Sequence, residues 1–370
     1  MKTNQLCVVV ILCWIFSVSC GSKISSQPAE TVLTDSAKGL KDYYAEYFDM
    51  GVAVSPRSLT TDEAGLIIHQ FNSITAENAM KMGPIHPGEN QYNWAGADSI
   101  AAFAKQHHLK MRGHTLVWHN QAPKWFFTQA NGDTVTKEVL LQRMKEHITA
   151  VVTRYKGTIY AWDVVNEVID DNPNNFYRDS PFMRIAGEEF IELAFRWAHE
   201  ADPNALLFYN DYNEISATKR AKIIQMIKKL KDKGVPIHGI GLQGHWAISE
   251  PTNVQLETTL NDFSQLGLPL HITELDISVY PKEHQARDRN AGDADTTFTA
   301  EKEKQQMEKY RMIFELFRKY KDQIQSVTFW NISDRHSWLD NFPVRNRKDY
   351  PLLFDANLKP KKAFWEVVNF

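Results

Sequence analysis

Cysteine is almost absent from this chain of 370 residues, and its three copies lie within the first twenty positions, at Cys7, Cys13 and Cys20. The remaining sequence therefore excludes a disulfide framework and a thiolate zinc site. An excess of one charge is also missing, since 42 Lys and Arg residues stand against 45 Asp and Glu residues, for a net charge of −3. Because no block of like charges could follow a phosphate backbone, the sequence argues against a nucleic-acid partner.

Long apolar runs are scarce, and the one that is present, Leu6–Val18, follows Lys2 and ends in small residues before Cys20. This pattern predicts a signal peptide over residues 1–20, because the run is too short to span a bilayer. The four residues ending at Cys20 also resemble a bacterial lipobox, although Ser17 stands where Leu is usual. Export is predicted, either as simple secretion, including to a periplasm, or with a lipid on Cys20 as the membrane anchor.

The region after the leader is organised as a polar tether over residues 21–36 and one long domain over residues 37–370. In the long domain, short β-branched runs alternate with amphipathic helical segments such as Lys137–Tyr155 and Thr218–Lys233. This alternation predicts a single α/β catalytic domain with the (β/α)₈ TIM-barrel fold. The predicted strands are Gly51–Ser55, Ser73–Glu77, Lys110–Trp118, Ile159–Glu167, Leu206–Asp211, Gly239–His245, Pro269–Ile277 and Ser326–Asp334.

Most of the predicted strands end in polar and aromatic residues, although a strand buried in a parallel sheet should be apolar throughout. These endings are Thr75–Asn78, Gly113–His119, Asp163–Glu167, Tyr209–Asp211, Leu242–Trp246, Thr273–Asp276 and Phe329–Asn331. Since the active site of a TIM barrel lies at the carboxyl ends of its strands, the pattern predicts one polar cavity rather than a set of unrelated helix caps.

Two carboxylates stand at strand ends, Glu167 after the fourth predicted strand and Glu274 near the end of the seventh. A salt bridge is the ordinary explanation for one such residue, but the flanking side chains are neutral or titratable rather than cationic. Facing carboxylates serve glycoside hydrolysis, in which one protonates the leaving oxygen and the other attacks the anomeric carbon. The charge of one carboxylate raises the pKa of its neighbour, which separates the two roles without a metal ion.

Six segments, in the same order along the chain, resemble glycoside hydrolase family 10 xylanases. Trp162–Glu167 resembles the acid/base strand of that family, and His271–Asp276 resembles its nucleophile strand. The other matching segments are Thr75–Lys81, Arg112–His119, Gly241–His245 and Trp330–Trp338. The resemblance runs from about Leu40 to the C-terminus and implies a retaining endo-1,4-β-xylanase that acts on xylan by double displacement and needs no cofactor.

The resemblance also implies roles for individual residues. Glu167 is the expected general acid/base and Glu274 the expected nucleophile, with His245 and Asp276 hydrogen-bonded behind Glu274 to keep it ionised. The expected sugar-binding residues beside the scissile bond are Lys81, His114, Asn166, Gln243 and Trp330. The expected ligands of the next xylose are Glu77, Asn78 and Trp338, and the substrate-binding set is completed by Trp118, Asn210 and Tyr212.

One residue departs from the family pattern, because Asn331 follows Trp330 where family members commonly have Gly. This departure concerns the shape of the pocket wall rather than the reaction. The charged segment Glu283–Thr299 lies in the seventh βα loop, and the resemblance gives it no role.

Two motifs suggest a cofactor or a metal, and neither has the required context. Gly239–Gly244 reads G-x-G-x-x-G, but it lies within a predicted strand and is followed by His245 rather than by a helix, so no dinucleotide site is predicted. His114, His119 and His245 would share the cavity, yet the close His-x-His spacing of metal-dependent barrels is absent. No metal site is predicted.

Two other functional interpretations stay open. A cellulase, a mannanase or a chain-end β-xylosidase would use the same pair of carboxylates, although the Glu77, Asn78 and Lys81 group favours xylan. A glycan-binding protein without activity is the alternative from another class, and retention of both Glu167 and Glu274 argues against it.

Overall fold

The computed structural model describes residues 38–281, 289–290 and 296–370. The predicted leader with Cys20, the predicted tether and most of the Glu283–Thr299 segment lie outside the described residues. Within the described part, none of the helices combines the length and the apolar character that a bilayer crossing requires.

Eight parallel strands form a closed barrel, which confirms the predicted fold. They are β1 (Asp49–Val54), β2 (Ser73–Ala76), β3 (Lys110–Trp118), β4 (Ile159–Asn166), β5 (Leu206–Asp211), β6 (Gly239–Leu242), β7 (Leu270–Ser278) and β8 (Ile324–Phe329). Neighbours along the chain pair with each other, and β8 pairs with both β7 and β1. The last two pairings close the barrel, so no strand edge of this sheet is left open.

Helices alternate with the strands along the chain. The α-helices are α1 (Leu40–Tyr43), α2 (Glu63–Gln70), α3 (Met82–Ile85), α4 (Ala95–Gln106), α5 (Lys137–Arg154), α6 (Pro181–Ala186), α7 (Glu189–Ala201), α8 (Ala217–Asp232), α9 (Asn253–Ser264), α10 (Ala300–Lys319) and α11 (Lys362–Val368). Single 3₁₀ turns occur at Ser58–Thr60, Lys124–Phe126, Asp334–His336 and Trp338–Asp340. Short strand segments occur at His245–Ala247, Arg289–Asn290 and Val344–Arg345.

The apolar faces of the amphipathic helices are buried against the barrel. Leu140, Met144 and Ile148 of α5 are fully buried, as are Ile313 and Phe314 of α10. Each such side chain contributes about 1.5–3 kcal/mol by leaving water, which holds the helices against the barrel. The starts of these helices also follow from the sequence, because a Thr hydroxyl caps the first turn of each: Thr136 for α5 and Thr299 for α10.

Strand register brings the polar endings side by side. Trp118 of β3 lies opposite Asn166 of β4, and Asn166 lies opposite Asn210 of β5. Glu167 follows β4 directly, and its N–H donates to the carbonyl of Asn210 at 2.9 Å. Since all barrel strands run in the same direction, these side chains meet at one rim.

The sixth strand ends earlier than its predicted end at His245. Gly244 has a φ of 76°, in the left-handed region that glycine tolerates, and the chain turns there after β6 has ended at Leu242. Beyond the turn, the short strand His245–Ala247 pairs with β7, and His245 lies opposite Asp276. The turn therefore places this imidazole beside the carboxylate that the sequence assigned to it.

The eighth strand ends at Phe329, so Trp330 and Asn331 lie in the loop that follows it. Asn331 has a φ of 152°, a conformation that glycine adopts more readily than any other residue. Its amide offsets part of this cost, because its Nδ2 donates to the carbonyl of His336 at 2.8 Å and its Oδ1 accepts from the N–H of Ile332 at 3.0 Å. The departure from the family pattern thus falls on a backbone position that suits Gly.

Candidate active site

The two predicted carboxylates lie at the same rim, and amide side chains connect them. Glu167 is 9% exposed and Glu274 is 4% exposed. Asn166 donates its Nδ2 to Glu167 Oε1 at 3.2 Å, and Asn210 donates its Nδ2 both to Asn166 Oδ1 at 3.0 Å and to Glu274 Oε1 at 2.7 Å. The barrel therefore joins carboxylates that are far apart in sequence through a short hydrogen-bonded chain.

Histidines surround Glu274. Its Oε2 lies 3.2 Å from His245 Nε2, and its Oε1 lies 3.9 Å from His114 Nδ1. The other ring nitrogen of His245 lies 2.9 Å from Asp276 Oδ2, which also accepts from the indole N–H of Trp338 at 2.8 Å. An ordered chain of Trp338, Asp276 and His245 thus stands behind this carboxylate.

These contacts set the charge of Glu274. Burial alone would raise the pKa of Glu274, but His114, His245 and Lys81 outweigh burial and hold the pKa below its ordinary value. Burial would likewise lower the pKa of His245, yet Asp276 and Glu274 raise it to about 10. At neutral pH His245 is therefore an imidazolium that donates to both carboxylates, and Glu274 is ionised.

Glu167 is held by neutral donors instead. Its Oε2 accepts from the indole N–H of Trp118 at 2.9 Å, and its Oε1 accepts from Gln243 Nε2 at 3.0 Å in addition to Asn166. The backbone of Glu167 has a φ of 59°, in the left-handed region that a glutamate seldom occupies. These donors and this backbone conformation fix the position of the carboxylate.

A buried ion pair fixes His114 from below. Asp163 Oδ2 lies 3.0 Å from His114 Nδ1, and Asp163 Oδ1 accepts from Arg112 Nη2 at 2.7 Å. Burial works against the ionised form of Asp163, but Arg112 and His114 lower its pKa to about 2. Arg112 also donates its Nε to His271 Nδ1 at 3.1 Å. This group orients the imidazole that faces Glu274.

Lys81 brings a positive charge to the same cavity. Its Nζ donates to Asn78 Oδ1 at 3.1 Å and lies 4.8 Å from the ring centre of Trp118 and 5.8 Å from that of Trp330. Burial lowers the pKa of Lys81, while three carboxylates, led by Glu274, oppose that shift. Burial raises the pKa of Glu77, and Lys81 partly offsets it.

Aromatic rings form the wall on the Glu274 side. The ring of Trp330 lies 5.1 Å from that of His114 and 6.3 Å from that of His245, and the ring of Trp338 lies 4.8 Å from that of His245. Trp330 is nearly buried, whereas Trp338 is partly exposed. Flat rings beside the carboxylates suit the apolar face of a sugar.

Tyr212 is placed differently from the other predicted sugar-binding residues. Its hydroxyl accepts from Arg178 Nη2 at 2.7 Å and donates to Asp171 Oδ2 at 2.5 Å, and Lys219 Nζ lies 3.7 Å from its ring centre. It belongs to a charged cluster next to Glu167, and its hydroxyl and ring contact that cluster. The role of Tyr212 in binding sugar stays a prediction.

The glycine-rich run serves packing at this site. Gly239–Leu242 is strand β6, and no helix begins at its end. A Cβ on Gly241 would lie 2.3 Å from Asn210 Oδ1, so only glycine leaves room for the amide that bridges the carboxylates. Within the described part of the chain, we find no group of three or more His, Cys, Asp or Glu side chains that could hold a metal ion.

Sequence reasoning missed two contributors to the site. Asp163 lies inside the motif that ends in Glu167, but its alignment with His114 depends on the pairing of β3 with β4. Arg178 lies in the loop after β4, and its Nε donates to the main-chain carbonyl of Glu167 at 2.9 Å. The loop sequence gives no signal for this contact.

Chemically, the arrangement offers an ionised carboxylate, Glu274, and a second carboxylate, Glu167, that neutral donors hold at the same rim. Amides, a lysine and indoles lie around them, which are the groups that bind sugar hydroxyls and cover sugar rings. These features are the requirements for a two-carboxylate displacement at an acetal carbon.

Comparison with known proteins gives concordant matches. The model of glycosyl hydrolase family 10 matches residues 39–370. The chain is 48% identical over 326 residues to endo-1,4-beta-xylanase B of Paenibacillus barcinonensis, which covers 88% of this chain and 96% of that protein. It is 46% identical over 375 residues to a beta-1,4-xylanase of Dictyoglomus thermophilum, across the full length of both.

Solved structures agree with these matches. The crystal structure of xylanase XynB from Paenibacillus barcinonensis, complexed with a conduramine derivative, superposes with a TM-score of 0.86 at 47% identity, over 90% of this chain and 99% of that one. A mutant structure in complex with xylotriose has a TM-score of 0.86 at 42% identity, over 90% of this chain and all of the other.

Proposed function

Because the chain belongs to glycosyl hydrolase family 10, we propose that it is a retaining endo-1,4-β-xylanase that hydrolyses internal bonds of xylan. The observation that carries the proposal is the pair of buried carboxylates, Glu167 and Glu274, joined through Asn166 and Asn210 at the barrel rim. Xylanase relatives of matching length and a related structure holding xylotriose support the substrate class.

Glu274 is the nucleophile in this proposal. Its lowered pKa keeps it anionic, and anionic carboxylate is the form that attacks an anomeric carbon. The imidazolium of His245 and the chain through Asp276 and Trp338 hold one carboxylate oxygen, which leaves the orientation of the other to be set by Asn210. As the glycosyl ester forms, the charge of Glu274 is lost.

Glu167 is the general acid and then the general base. In the first step, a Glu274 oxygen bonds to the anomeric carbon while the bond from that carbon to the bridging oxygen breaks, and Glu167 gives its proton to that oxygen. In the second step, Glu167 removes a proton from a water molecule, whose oxygen bonds to the anomeric carbon and releases Glu274. Two inversions give net retention.

The remaining residues bind the substrate. Asn166, Gln243 and Asn210 present amides to sugar hydroxyls, and Lys81 with Glu77 and Asn78 forms a polar wall that matches a hydroxyl-rich ligand. The indoles of Trp330 and Trp338 cover the apolar faces of two successive xylose rings. Tyr212, which lies beside Arg178, is included in this set on the family resemblance alone.

Product analysis tests the proposal. Purified protein should release reducing ends from xylan, with oligosaccharides of mixed length at early times, and the first anomer observed by NMR should keep the β configuration. Faster turnover of cellulose or mannan would assign a related hydrolase instead. Release of xylose alone would indicate a chain-end β-xylosidase, and absence of any release would leave a glycan-binding protein. Decorated xylans then define which side groups the site accepts.

We also propose that the chain is exported. Lys2, the apolar run Leu6–Val18 and the small residues before Cys20 support this proposal. N-terminal sequencing of the mature protein from the natural host should show one of two outcomes. Either residues 1–20 have been removed, or cleavage before Cys20 has made Cys20 the new N-terminus. A lipid label that appears on the wild type and disappears in Cys20→Ala would establish the anchor, whereas an unlabelled, released protein would establish simple secretion. An intact Met1 would refute export.

A further inference from the structure

The backbone at Glu167 is held from both sides. With a φ of 59°, this residue occupies the left-handed region, which side chains other than glycine seldom adopt without support. Its N–H donates to the carbonyl of Asn210 at 2.9 Å, which belongs to the β4–β5 pairing. Its carbonyl accepts from Arg178 Nε at 2.9 Å. The second support comes from a side chain outside the barrel strands.

Arg178 is itself fixed. Its N–H donates to the carbonyl of Val168 at 2.8 Å, and its Nη2 donates to the Tyr212 hydroxyl at 2.7 Å. The Tyr212 hydroxyl donates in turn to Asp171 Oδ2 at 2.5 Å. The Arg178 side chain is 18% exposed, so these contacts rather than solvent hold most of it.

Helix α8 anchors the cluster. Lys219 Nζ lies 2.9 Å from Asp171 Oδ1 and 2.9 Å from Asp211 Oδ1, and it covers the ring of Tyr212. Lys222 Nζ donates to three loop carbonyls, those of Asp170, Asn172 and Asn175. The loop that follows β4 is therefore fastened to α8 by two lysines, and Arg178 transmits that rigidity to the backbone of Glu167.

We propose that Arg178 is a positioning residue for the acid/base, which sets the direction of the Glu167 side chain by holding its main-chain carbonyl, while Trp118, Asn166 and Gln243 hydrogen-bond its carboxylate. The inference rests on the proposed function, since it assigns Glu167 the proton transfer. A planar guanidinium donates to the Glu167 carbonyl and the Tyr212 hydroxyl through two fixed N–H groups. A lysine ammonium is a single point charge and does not reproduce this pair of fixed donors.

The test compares two substrates that differ in their need for an acid. Cleavage of xylopentaose needs protonation of the leaving oxygen, whereas dinitrophenyl xylobioside has a leaving group that departs unprotonated. For both, kcat/KM reports the first chemical step. In Arg178→Met, misplacement of the acid should lower kcat/KM for xylopentaose by about 10²-fold and change that for the aryl substrate by less than about threefold. Arg178→Lys should show the same selectivity with a smaller loss.

Arg184→Met is the matched control, because Arg184 lies in the adjacent helix α6 and pairs with Asp179 at the surface. It should change neither rate. If Arg178→Met is not folded by circular dichroism, Arg178→Lys carries the test. Equal losses on both substrates, or no loss on either, would overturn the positioning role while leaving the xylanase proposal intact. Wild-type protein inactive on xylopentaose would instead overturn the proposed function.

Discussion

The two carboxylates of the site have different kinds of neighbours. Glu274 faces the imidazolium of His245, with His114 and Lys81 nearby, whereas the Glu167 carboxylate is bound by the uncharged N–H groups of Trp118, Asn166 and Gln243. Positive charge beside Glu274 keeps this carboxylate ionised, whereas the direct hydrogen bonds to the Glu167 carboxylate come from neutral dipoles. In the proposed mechanism, these surroundings assign the same type of side chain to two tasks.

The largest effect is expected when Glu274, the carboxylate with positively charged neighbours, is removed. Glu274→Ala should reduce turnover of xylan and of activated aryl xylobiosides alike, by at least about 10⁴-fold, because both substrates need the nucleophile. Added azide should restore part of the activity and give a product with inverted configuration. Rates for Glu308→Ala, an exposed residue of α10, should match the wild type. Retention of substantial activity in Glu274→Ala would remove it from the mechanism.

Removal of Glu167, the carboxylate with neutral neighbours, should affect the two kinds of substrate to different extents. Glu167→Ala is expected to lower kcat/KM for xylan by about 10²–10⁴-fold, the usual contribution of a general acid. An aryl xylobioside with an acidic phenol should lose far less, since that leaving group needs no proton. Parallel assays on the two substrates check this difference, and equal losses would contradict the acid role.

Substitution of His245 tests whether Glu274 depends on the positive charge of its neighbour or only on a hydrogen bond from it. His245→Asn keeps a donor but removes the positive charge, and kcat/KM should fall by about tenfold to a hundredfold on both substrates. The pH dependence of the folding stability should also differ between this variant and the wild type. The folded pKa of about 10 lies above the ordinary value of 6.5, so the contribution of His245 is fully present below pH 6.5 and is lost as the pH rises toward 10.

Thermal denaturation at several pH values between 6 and 10 measures this loss of stability. The melting temperature of the wild type should exceed that of His245→Asn most at about pH 6, and the gap should narrow toward pH 10. His69→Asn, on α2, serves as the control and should follow the wild-type profile. A gap that is constant across the range would indicate that His245 stabilises the site without its charge.

The smallest expected effect concerns the bridge between the two sides. In Gly241→Ala, a Cβ 2.3 Å from Asn210 Oδ1 displaces the amide that contacts both Asn166 and Glu274, and overpacking should cost about 1–3 kcal/mol. Activity should fall on both substrates. Gly65→Ala in α2 meets nothing within 4 Å and should raise helix stability by about 0.5–1 kcal/mol without changing activity. Equal stability of the two variants would show that Asn210 can move freely.

Prediction from sequence succeeded where the pattern is local. Alternating strands and amphipathic helices have a period that is visible without contacts, so the barrel and the amphipathic character of α5 and α8 could be predicted. Polar endings on buried strands gave Glu167 and Glu274, because a barrel brings all carboxyl ends to one rim. Strand ends were less certain, since the turn at Gly244 that ends β6 before His245 depends on backbone torsion.

Contacts between distant segments were beyond the sequence. Arg178, which donates to the carbonyl of Glu167, lies in a loop whose composition resembles that of any polar loop. Tyr212 lies in the cluster around that arginine. The partner of His114 was equally hidden, because Asp163 reaches it only through the pairing of two strands. None of these contacts leaves a periodic trace.

The amino-acid order alone predicted the fold class and the two acidic side chains that lie at one rim of the barrel, since hydrophobic period and residue type are properties of the chain itself. Tertiary structure decided which cations and dipoles surround each carboxylate, because electrostatic effects depend on distance and burial, and these arise only when the strands close into a barrel.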